Sequence, residues 1–383
     1  MSSYVKKNRE QCSACGLCVS VCANHAISMQ VDEDGFRYPY IDKEKCTSCG
    51  ACEKVCPFHA SMLNNPNARK VRRSYAFKHR SDVQKVSSSG GFFTALSDYV
   101  LDNNGILYGA VFDEQYHVFH DRTENRSGRD KMRGSKYVQS DLSKVYQTIK
   151  QDVKSGRLVL FSGTPCQCAA VIRYFGGKKP ENLIMMDLIC HGVLSDEFFQ
   201  QYLDGVCKKN PGTISKINFR DKDFGWQDVS ITFDNGNCYH SADDYFYKAY
   251  ATHAFQRSSC FHCPFATEKR WGDFTVGDYW GMQKYHPDFY DDLGVSLVLV
   301  NTEQGETILE SCAGQFLPIQ PQEYATVQPN LRQPTARGDR ADKIQIYYKK
   351  HGYSKTMHRF FDVTLQRKIN SQIAKILKKL HLR

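Results

Sequence analysis

Apolar residues along the chain follow two different periods, and the change of period predicts where strands and helices lie. Between residues 74 and 200, short apolar runs of strand length alternate with helical patterns, such as Phe92, Leu96 and Val100 on one face. The apolar runs lie at 75–79, 106–112, 158–161 and 183–189. Because strands that alternate with helices are typical of α/β proteins, this part of the chain predicts a sheet that is partly parallel.

The pattern changes to antiparallel strands in the second half of the chain. Residues 214–239 have the alternation of strands, and Asn235-Gly236 is a strong signal for a hairpin turn between two of them. Further strands are expected at 274–277 and 296–301. The sequence therefore predicts that antiparallel strands follow the alternating strands and helices of residues 74–200.

The C-terminal region, from residue 334 onward, is basic and has a helical pattern. We expect a final helix over 364–382 with a narrow apolar stripe beside lysines. The stripe consists of Ile369, Ile373, Ile376 and Leu380. Such a helix can pack on its own domain, bind a partner or a second copy of the chain as a homo-oligomer, or lie weakly on an anionic membrane surface.

The first 62 residues contain an internal duplication built on cysteine. A unit with the spacing C-x2-C-x2-C-x3-C occurs twice, 34 residues apart, and Gly16 matches Gly50. The first copy has Cys12, Cys15, Cys18 and Cys22, and the second has Cys46, Cys49, Cys52 and Cys56. Three closely spaced thiolates can bind three irons of one cubane cluster, whereas the fourth cysteine leads away and ligates the other cluster. We therefore expect Cys56 to complete the first cluster and Cys22 to complete the second.

Disulfides and zinc are two alternatives to iron–sulfur clusters for this pattern of cysteines. A disulfide framework suits a small secreted chain, but the polar start, Met1 to Glu10, lacks the apolar segment of a signal peptide. Zinc favours tetrads drawn from paired C-x2-C units. The duplicated unit resembles the bacterial two-cluster ferredoxin, with Ala23 where that family usually has the proline that Pro57 supplies. The resemblance implies two [4Fe–4S] clusters in this segment.

Length, hydropathy and charge narrow the class of protein. The 383 residues suggest two or three domains, and no stretch approaches the length of a membrane span. Without a signal peptide, we expect a cytoplasmic and reducing location, which suits oxygen-sensitive clusters. The formal charge of +10 is weak evidence for nucleic-acid binding, because no recognised nucleic-acid-binding motif accompanies it. We therefore expect no nucleic-acid partner.

Four more cysteines lie at predicted strand ends or in a loop of the middle region. Cys166 follows the run at 158–161, Cys190 follows the run at 183–189, and Cys260 and Cys263 form a C-x2-C pair. These residues could hold a third cubane from separate segments. Spacing alone does not distinguish that arrangement from small, buried, unreactive cysteines.

A serine–glycine segment lies between a predicted strand and a predicted helix. It consists of Ser87, Ser88, Ser89, Gly90 and Gly91. Glycine would let backbone N–H groups approach a pyrophosphate at the helix N-terminus, and the serine hydroxyls could donate hydrogen bonds. The segment lacks the full G-x-G-x-x-G fingerprint, so from these residues alone a flexible loop is an alternative.

Six ordered motifs resemble one family, that of the beta subunit of coenzyme F420-reducing hydrogenase and its relatives. The resemblance covers about residues 74–330. The motifs lie at 87–91, 133–138, 163–167, 187–192, 260–266 and 272–281. The resemblance implies a flavoprotein that carries FAD and a third [4Fe–4S] cluster in this region.

Site residues follow from the resemblance. The implied ligands of the third cluster are Cys166, Cys190, Cys260 and Cys263. The implied cofactor-binding residues are Ser87, Ser88, Ser89, Gly90, Gly91, Lys136, Tyr137, Gly277, Asp278 and Trp280. For Trp280, ordinary core packing is an alternative. The candidate catalytic proton donors are His191, Tyr137 and Asp278.

These inferences predict an enzyme, an oxidoreductase dependent on FAD and [4Fe–4S] clusters that works mainly as a reductase. Electrons would enter at the ferredoxin clusters, pass through the third cluster to FAD and reach a small-molecule substrate. A ferredoxin, a flavodoxin or a reduced deazaflavin is the expected electron donor or acceptor. The alternative is an electron-transfer subunit that docks to another redox protein. No residue in the sequence selects coenzyme F420 itself as the substrate.

The predicted fold class is α+β. We expect a two-cluster ferredoxin-like domain at 1–63 and a linker at 64–73. A mixed α/β domain for FAD and the third cluster would follow at 74–333, with a basic helical tail at 334–383.

Overall fold

A computed structural model of the chain describes residues 9–58, 70–224, 228–241 and 244–362. Its N-terminal part has two short helices, α1 (Leu17–Ser20) and α2 (Ala51–Lys54), and an antiparallel hairpin of β1 (Ile27–Val31) and β2 (Arg37–Ile41). This part is the predicted ferredoxin-like domain. The helix expected at 364–382 lies outside the described residues, as does most of the expected linker.

An eight-stranded mixed sheet forms the centre of the larger part of the chain. Its strands are β3 (Arg73–Lys78), β4 (Ile106–Phe112), β5 (Val118–Thr123), β6 (Val159–Gly163), β7 (Leu183–Leu188), β11 (Phe274–Asp278), β12 (Ser296–Val300) and β13 (Gln315–Pro318). They are ordered β13-β3-β12-β11-β7-β6-β4-β5. The four central strands β4, β6, β7 and β11 pair in parallel, whereas the outer strands pair antiparallel. The prediction of a partly parallel sheet is confirmed.

Helices cover both faces of this sheet. The larger part contains α3 (Ser81–Lys85), α4 (Phe92–Asp102), α5 (Arg126–Met132), α6 (Val145–Lys154), α7 (Pro165–Tyr174), α8 (Asp196–Cys207), α9 (Tyr245–Ala251), α10 (Glu303–Leu309), α11 (Pro321–Ala325) and α12 (Ala341–Phe361). Successive side chains of a strand point to opposite faces. Accordingly, Val159 and Phe161 of β6 pack in one apolar cluster with α6 and α7, while Leu160 packs in another with α4.

A smaller antiparallel sheet lies beside the large one. It contains β8 (Ile214–Asn218), β9 (Val229–Phe233) and β10 (Cys238–Ser241), in the order β10-β9-β8. Gly236 has a φ of +83°, as the predicted Asn235-Gly236 hairpin turn requires. The sheet shares an apolar cluster with α8, α9 and α12. Single 3₁₀ turns occur at Arg9–Gln11, Ser258–Cys260, Met282–Lys284, Pro287–Phe289 and Pro329–Leu331.

Helix boundaries agree with local signals in the sequence where those signals are strong. Ser195 accepts a hydrogen bond from the Phe198 N–H at the start of α8, and Thr302 accepts one from the Gly305 N–H at the start of α10. A short helix that the pattern did not predict, α3, separates β3 from the serine–glycine segment. Within the described part of the chain, every helix is too short or too polar to cross a membrane.

The ferredoxin-like part packs on the sheet domain through an apolar contact. Leu17 in α1 is fully buried and belongs to the same cluster as Tyr146, Ala169 and Phe265. Burial of one leucine side chain stabilises a fold by about 1.5–3 kcal/mol. The two parts therefore share a core at this point.

We predict that Leu17→Ala lowers the free energy of unfolding by about 2–5 kcal/mol, because it leaves a cavity at this shared core. Urea denaturation of the iron-loaded protein under anaerobic conditions measures the change. Val31→Ala is the matched control, since Val31 lies in the same part of the chain but is 59% exposed. Equal losses for the two variants would contradict the shared core.

Candidate cofactor site

The two duplicated cysteine loops have the same unusual backbone. Ala14 and Ser48, 34 residues apart, have φ values of +49° and +54°, and Gly16 and Gly50 follow with +75° and +72°. A Cβ added at either glycine would meet no atom within 4 Å, so glycine is favoured there by its backbone angle and not by crowding. Non-glycine residues in this region are strained, and such strain is concentrated at functional loops.

The structure brings together the four cysteines predicted for the first cluster. Burial raises the pKa of Cys15 well above its usual value, and the neighbouring Cys18 raises it further. Burial, followed by Cys12 and Cys56, raises the pKa of Cys18 to about 12. All four line one small cavity. Thiols crowded in this way become stable thiolates only beside bound cations such as iron.

The second predicted set is more open to solvent. Burial raises the pKa of Cys52, which also interacts electrostatically with Cys46, and Cys49 is exposed. The segment after Cys22 reaches this loop, since the Asn24 side chain donates to Thr47 Oγ1 at 2.9 Å. Cys22 Sγ itself accepts a hydrogen bond from a backbone N–H at 3.3 Å. The fold therefore places the Cys22 segment beside the second loop.

The four cysteines of the middle region also meet, for a topological reason. Because β6 and β7 are parallel neighbours, their carboxyl ends lie at the same edge of the sheet. Cys166 lies in the first turn of α7 after β6, and Cys190 lies two residues beyond β7. Cys260 interacts electrostatically with Cys190, Cys263 and Cys166.

These four cysteines are partly buried. Burial raises the pKa of Cys190 to about 11 and that of Cys263 to about 12, and it raises the pKa of Cys260 strongly. Cys166 Sγ lies 3.2 Å from the hydroxyl oxygen of Thr164. Among the described residues, no three His, Cys, Asp or Glu side chains converge tightly enough to hold one metal ion. A cubane does not need such convergence, because each thiolate binds a different iron.

A buried ion pair ties two of these cysteine segments together. The Arg270 guanidinium donates to Asp187 Oδ1 at 2.7 Å and to the Leu188 carbonyl at 2.9 Å, near Cys190. It also donates to the Phe265 carbonyl at 3.3 Å, near Cys263. Arg270 is 1% exposed and Asp187 is fully buried. The pair therefore fixes the end of β7 relative to the Cys263 loop.

The same cysteines line a large cavity that also contains the serine–glycine segment. The cavity has a volume of about 840 Å³. Ser88 accepts hydrogen bonds from the Ser135 N–H at 2.6 Å and the Ser135 hydroxyl at 2.9 Å. The Ser89 hydroxyl is buried and has no hydrogen-bond partner among the described residues. A buried polar atom without a partner, on the wall of a cavity, is a position for a polar ligand.

The two glycines of this segment have different roles. Gly91, with a φ of +93°, directly precedes α4. A Cβ at Gly90 would lie 2.1 Å from the Phe77 carbonyl oxygen and 2.7 Å from the Ser296 nitrogen, which belong to β3 and β12. The sequence interpretation assigned both glycines to phosphate approach, but the fold itself requires Gly90 for packing against two strands.

Lys136 lines the cavity but its amine is already engaged. Its Nζ lies within hydrogen-bond distance of four carbonyl oxygens around the end of α5, at 3.0–3.3 Å, and donates to them with its three N–H groups. The acceptors belong to Lys131, Met132, Arg133 and Gly134. Burial lowers the pKa of Lys136 to about 7. In this structure Lys136 therefore stabilises the turn that carries Tyr137.

Tyr137 and Asp278, two of the predicted catalytic residues, meet through an arginine. Arg220 Nε donates to the Tyr137 hydroxyl at 2.8 Å, and its NH2 group lies 3.1 Å from Asp278 Oδ2. Burial raises the pKa of Tyr137, and the charge of Arg220 partly opposes this. All three residues line the cavity together with Tyr247.

The third predicted catalytic residue, His191, packs against Trp280. Their ring centroids are 5.0 Å apart, with an angle of 31° between the planes. Burial lowers the pKa of His191, and a hydrogen bond with Asn330 partly opposes this. Gly277 also lines the cavity, and a Cβ there would lie 2.9 Å from the Ile189 side chain. Trp280 therefore packs against His191 and also lines the cavity.

The first ferredoxin loop forms part of the wall of this cavity. Ser13, next to Cys12, and Phe58 line it beside Cys166. The Gln139 side chain donates to the Ser13 carbonyl at 2.5 Å, and the Tyr146 hydroxyl donates to the Cys15 carbonyl at 2.7 Å. Two cysteine sites are thus adjacent across the contact between the two parts of the chain.

Sequence reasoning missed three arginines of this region, the buried Arg257 and Arg270 and the partly buried Arg220. Arginine has no characteristic spacing, and nothing local shows that a given arginine will be buried. A basic residue within or beside a cysteine motif, such as Arg257 three residues before Cys260, is the nearest signal that the sequence offers.

Three family models match the chain. Residues 156–322 match the model for the C terminus of the coenzyme F420 hydrogenase/dehydrogenase beta subunit, and residues 11–60 and 38–89 each match a 4Fe-4S dicluster domain. No curated protein matches the sequence significantly. Among solved structures, a chain of the F420-reducing [NiFe] hydrogenase complex from Methanosarcina barkeri is 18% identical. That match covers 77% of this chain and 94% of the other, with a TM-score of 0.48.

The family matches confirm both resemblances inferred from the motifs. The dicluster matches include all eight cysteines of the duplicated unit, and the match at 156–322 includes Cys166, Cys190, Cys260 and Cys263. Residues 156–322 are therefore similar to the C terminus of the coenzyme F420 hydrogenase/dehydrogenase beta subunit family, and the N-terminal part of the chain carries a 4Fe-4S dicluster domain.

Proposed function

We propose that the chain is an iron–sulfur flavoprotein oxidoreductase. Electrons would pass from the ferredoxin-type clusters through a third [4Fe–4S] cluster to FAD and on to a small-molecule substrate. The observation that carries this proposal is the contact of the first ferredoxin loop with the cysteine-lined cavity, where Ser13 and Cys166 share one wall. Such a contact supports a short path for electrons between the two parts of the chain.

The cysteines fit three clusters. Cys12, Cys15, Cys18 and Cys56 would hold the first, and Cys46, Cys49, Cys52 and Cys22 the second. Cys166, Cys190, Cys260 and Cys263 would hold the third. We also propose the domain boundaries 1–63, 74–333 and 334–383, with a linker at 64–73.

The cavity fits a flavin dinucleotide. Its volume of about 840 Å³ lies toward the upper end of ligand pockets, which span about 300–1,000 Å³. The unpartnered Ser89 hydroxyl can donate to a phosphate oxygen near the start of α4. When bound, the clusters would supply one-electron transfer and FAD would supply two-electron chemistry at its N5 atom.

Tyr137 is the best-placed proton donor in the cavity. Because Arg220 donates to the Tyr137 oxygen, the phenol is held in one orientation. Its raised pKa keeps the phenol protonated at neutral pH, so it has a proton to give to an acceptor. Asp278 pairs with Arg220 and therefore acts mainly by holding that arginine in place. His191, whose pKa is lowered by burial, can donate or accept beside Trp280.

A second candidate function is supported by the family description, which names a beta subunit. In that case the chain would be an electron-transfer subunit that docks to another redox protein. To separate the two functions, the purified chain is reduced with ferredoxin, flavodoxin or a reduced deazaflavin, and turnover of a small molecule is measured with and without a partner protein. Turnover of a small molecule by the chain alone supports the reductase, whereas reduction without turnover until a partner is added supports the subunit.

We predict about twelve irons per chain, four for each of three clusters. Replacing Cys260 and Cys263 together with serine should remove about one third of the iron and acid-labile sulfide, because a cubane that loses two thiolates is not retained. The EPR signals of the ferredoxin-type clusters should remain. Anaerobic metal analysis and EPR spectroscopy measure these quantities.

Cys238→Ser is the matched control for this prediction, because Cys238 is exposed and belongs to none of the three sets. Its iron content should equal that of the natural chain. A double variant that keeps all of its iron with unchanged EPR signals would show that the third site is wrong.

We predict that Ser89→Ala weakens FAD binding about 10- to 100-fold, because it removes a buried donor to a charged group, and such a bond contributes about 1.5–3 kcal/mol. Titration of the flavin-free protein with FAD, followed by fluorescence, measures the dissociation constant. Ser87→Ala is the matched control, since the Ser87 hydroxyl already donates to the Val83 carbonyl at 2.7 Å. Equal affinities in the Ser89 variant and the natural chain would rule out this contact.

A further inference from the structure

Arg257 is a buried arginine that lies between two of the cysteine sites. Its guanidinium donates to the Cys12 carbonyl at 3.0 Å, to the Arg37 carbonyl at 2.7 Å and to Gln139 Oε1 at 2.6 Å. Its own carbonyl accepts a hydrogen bond from the Cys260 N–H at 2.9 Å. A single residue therefore connects the loop of the first ferredoxin site with a loop of the middle site.

The charge of Arg257 has neutral partners on every side. Besides the three oxygens, its guanidinium lies over the rings of Tyr38, at 4.4 Å, and Phe36, at 4.8 Å. Among the described residues, no carboxylate forms an ion pair with it, although it is only 1% exposed. A buried charge without a counter-charge costs several kcal/mol, so a negative group is expected close to it.

Clusters bound at the two neighbouring cysteine sites would supply that negative charge. A [4Fe–4S] cluster bound by four thiolates is negative, and it becomes more negative on reduction. Arg257 contacts the backbone of Cys12 on one side and interacts electrostatically with Cys166 on the other. Arg257 is therefore close to a predicted ligand of the first cluster and to a predicted ligand of the third.

We propose that Arg257 is a positioning residue that holds the Cys12 loop against the Cys260 loop and serves as the shared counter-charge of the first ferredoxin cluster and the third cluster. This inference rests on the proposed function, because it needs both clusters. A nearby positive charge stabilises the reduced form and so raises the reduction potential. By raising the potentials of the first and third clusters, Arg257 would favour electron transfer to them from the second cluster, that of the Cys46 loop.

The test is an EPR-monitored redox titration of the iron-replete chain. Arg257→Gln should move two of the three one-electron transitions to more negative potentials and leave the third unchanged. The expected shift is about tenfold in the reduction equilibrium, or about 59 mV for a one-electron couple. Arg257→Lys keeps the positive charge, so its potentials should stay close to those of the natural chain. With Cys260 and Cys263 also replaced by serine, Arg257→Gln should shift one of the two remaining transitions.

Gln139→Glu tests the same idea without removing Arg257. It places a carboxylate where Gln139 Oε1 now accepts from Arg257 Nε, so it neutralises the charge while that hydrogen bond stays. The donation from the Gln139 amide to the Ser13 carbonyl is lost in this variant, so its iron content is measured alongside the potentials. The same two transitions should fall, even if Arg257→Gln loses iron. Arg37→Gln is the matched control, because the exposed Arg37 side chain pairs with Asp141 at the same contact. It should leave all three transitions unchanged.

The possible outcomes separate this inference from the proposed function. Unchanged potentials in both Arg257→Gln and Gln139→Glu, with three clusters present, would overturn the role of Arg257 alone. An equal shift of all three transitions would also overturn it, because the effect would then not be local. A natural chain with only two clusters would contradict the proposed function, and the shared role of Arg257 with it.

Discussion

The parallel pairing of β6 with β7 is the constraint on which the central site depends. Parallel neighbours end at the same edge of a sheet, so the residues that follow them, Cys166 and Cys190, meet without any local sequence relation. The loop with Cys260 and Cys263 must then reach that edge. The buried pair of Arg270 and Asp187 holds it there, and removing one partner of such a pair typically costs about 3–5 kcal/mol.

The contact between the ferredoxin-like part and the sheet domain follows from the same arrangement. Leu17 enters the apolar cluster formed by α6 and α7, on the face of the sheet next to the cysteine edge. Tyr146 and Gln139 donate to the backbone of the first cysteine loop. Because these donors bond to carbonyl oxygens, they fix the position of the loop through its backbone and not through its thiols.

The cavity wall is held in place by contacts within the protein. Arg220 connects Tyr137, which follows the α5 turn, with Asp278 at the end of β11. Lys136 stabilises that turn through carbonyl oxygens, and Gly90 lets the serine–glycine segment lie against two strands. Side chains held by packing and by hydrogen bonds lose little further freedom when a cofactor binds, which favours affinity.

Local features of this protein follow from its sequence alone. The cysteine spacing and the glycines at 16 and 50 determine the two loops, because the geometry of a short loop depends on neighbouring residues. Ser195, Thr302 and the turn at Asn235-Gly236 likewise determine helix starts and a hairpin. The motif order was specific enough to indicate the family whose model matches residues 156–322.

Only the tertiary structure decided which distant residues meet. Sheet order brings Arg220 to Tyr137 and Arg257 to Cys12, pairs that are 83 and 245 residues apart. It also showed that Gly90 packs on strands and that the Lys136 amine is engaged by carbonyl oxygens, whereas the motifs had indicated contact with a phosphate or the flavin. The physical reason is that short-range spacing determines backbone angles, while burial and charge pairing depend on which strands become neighbours.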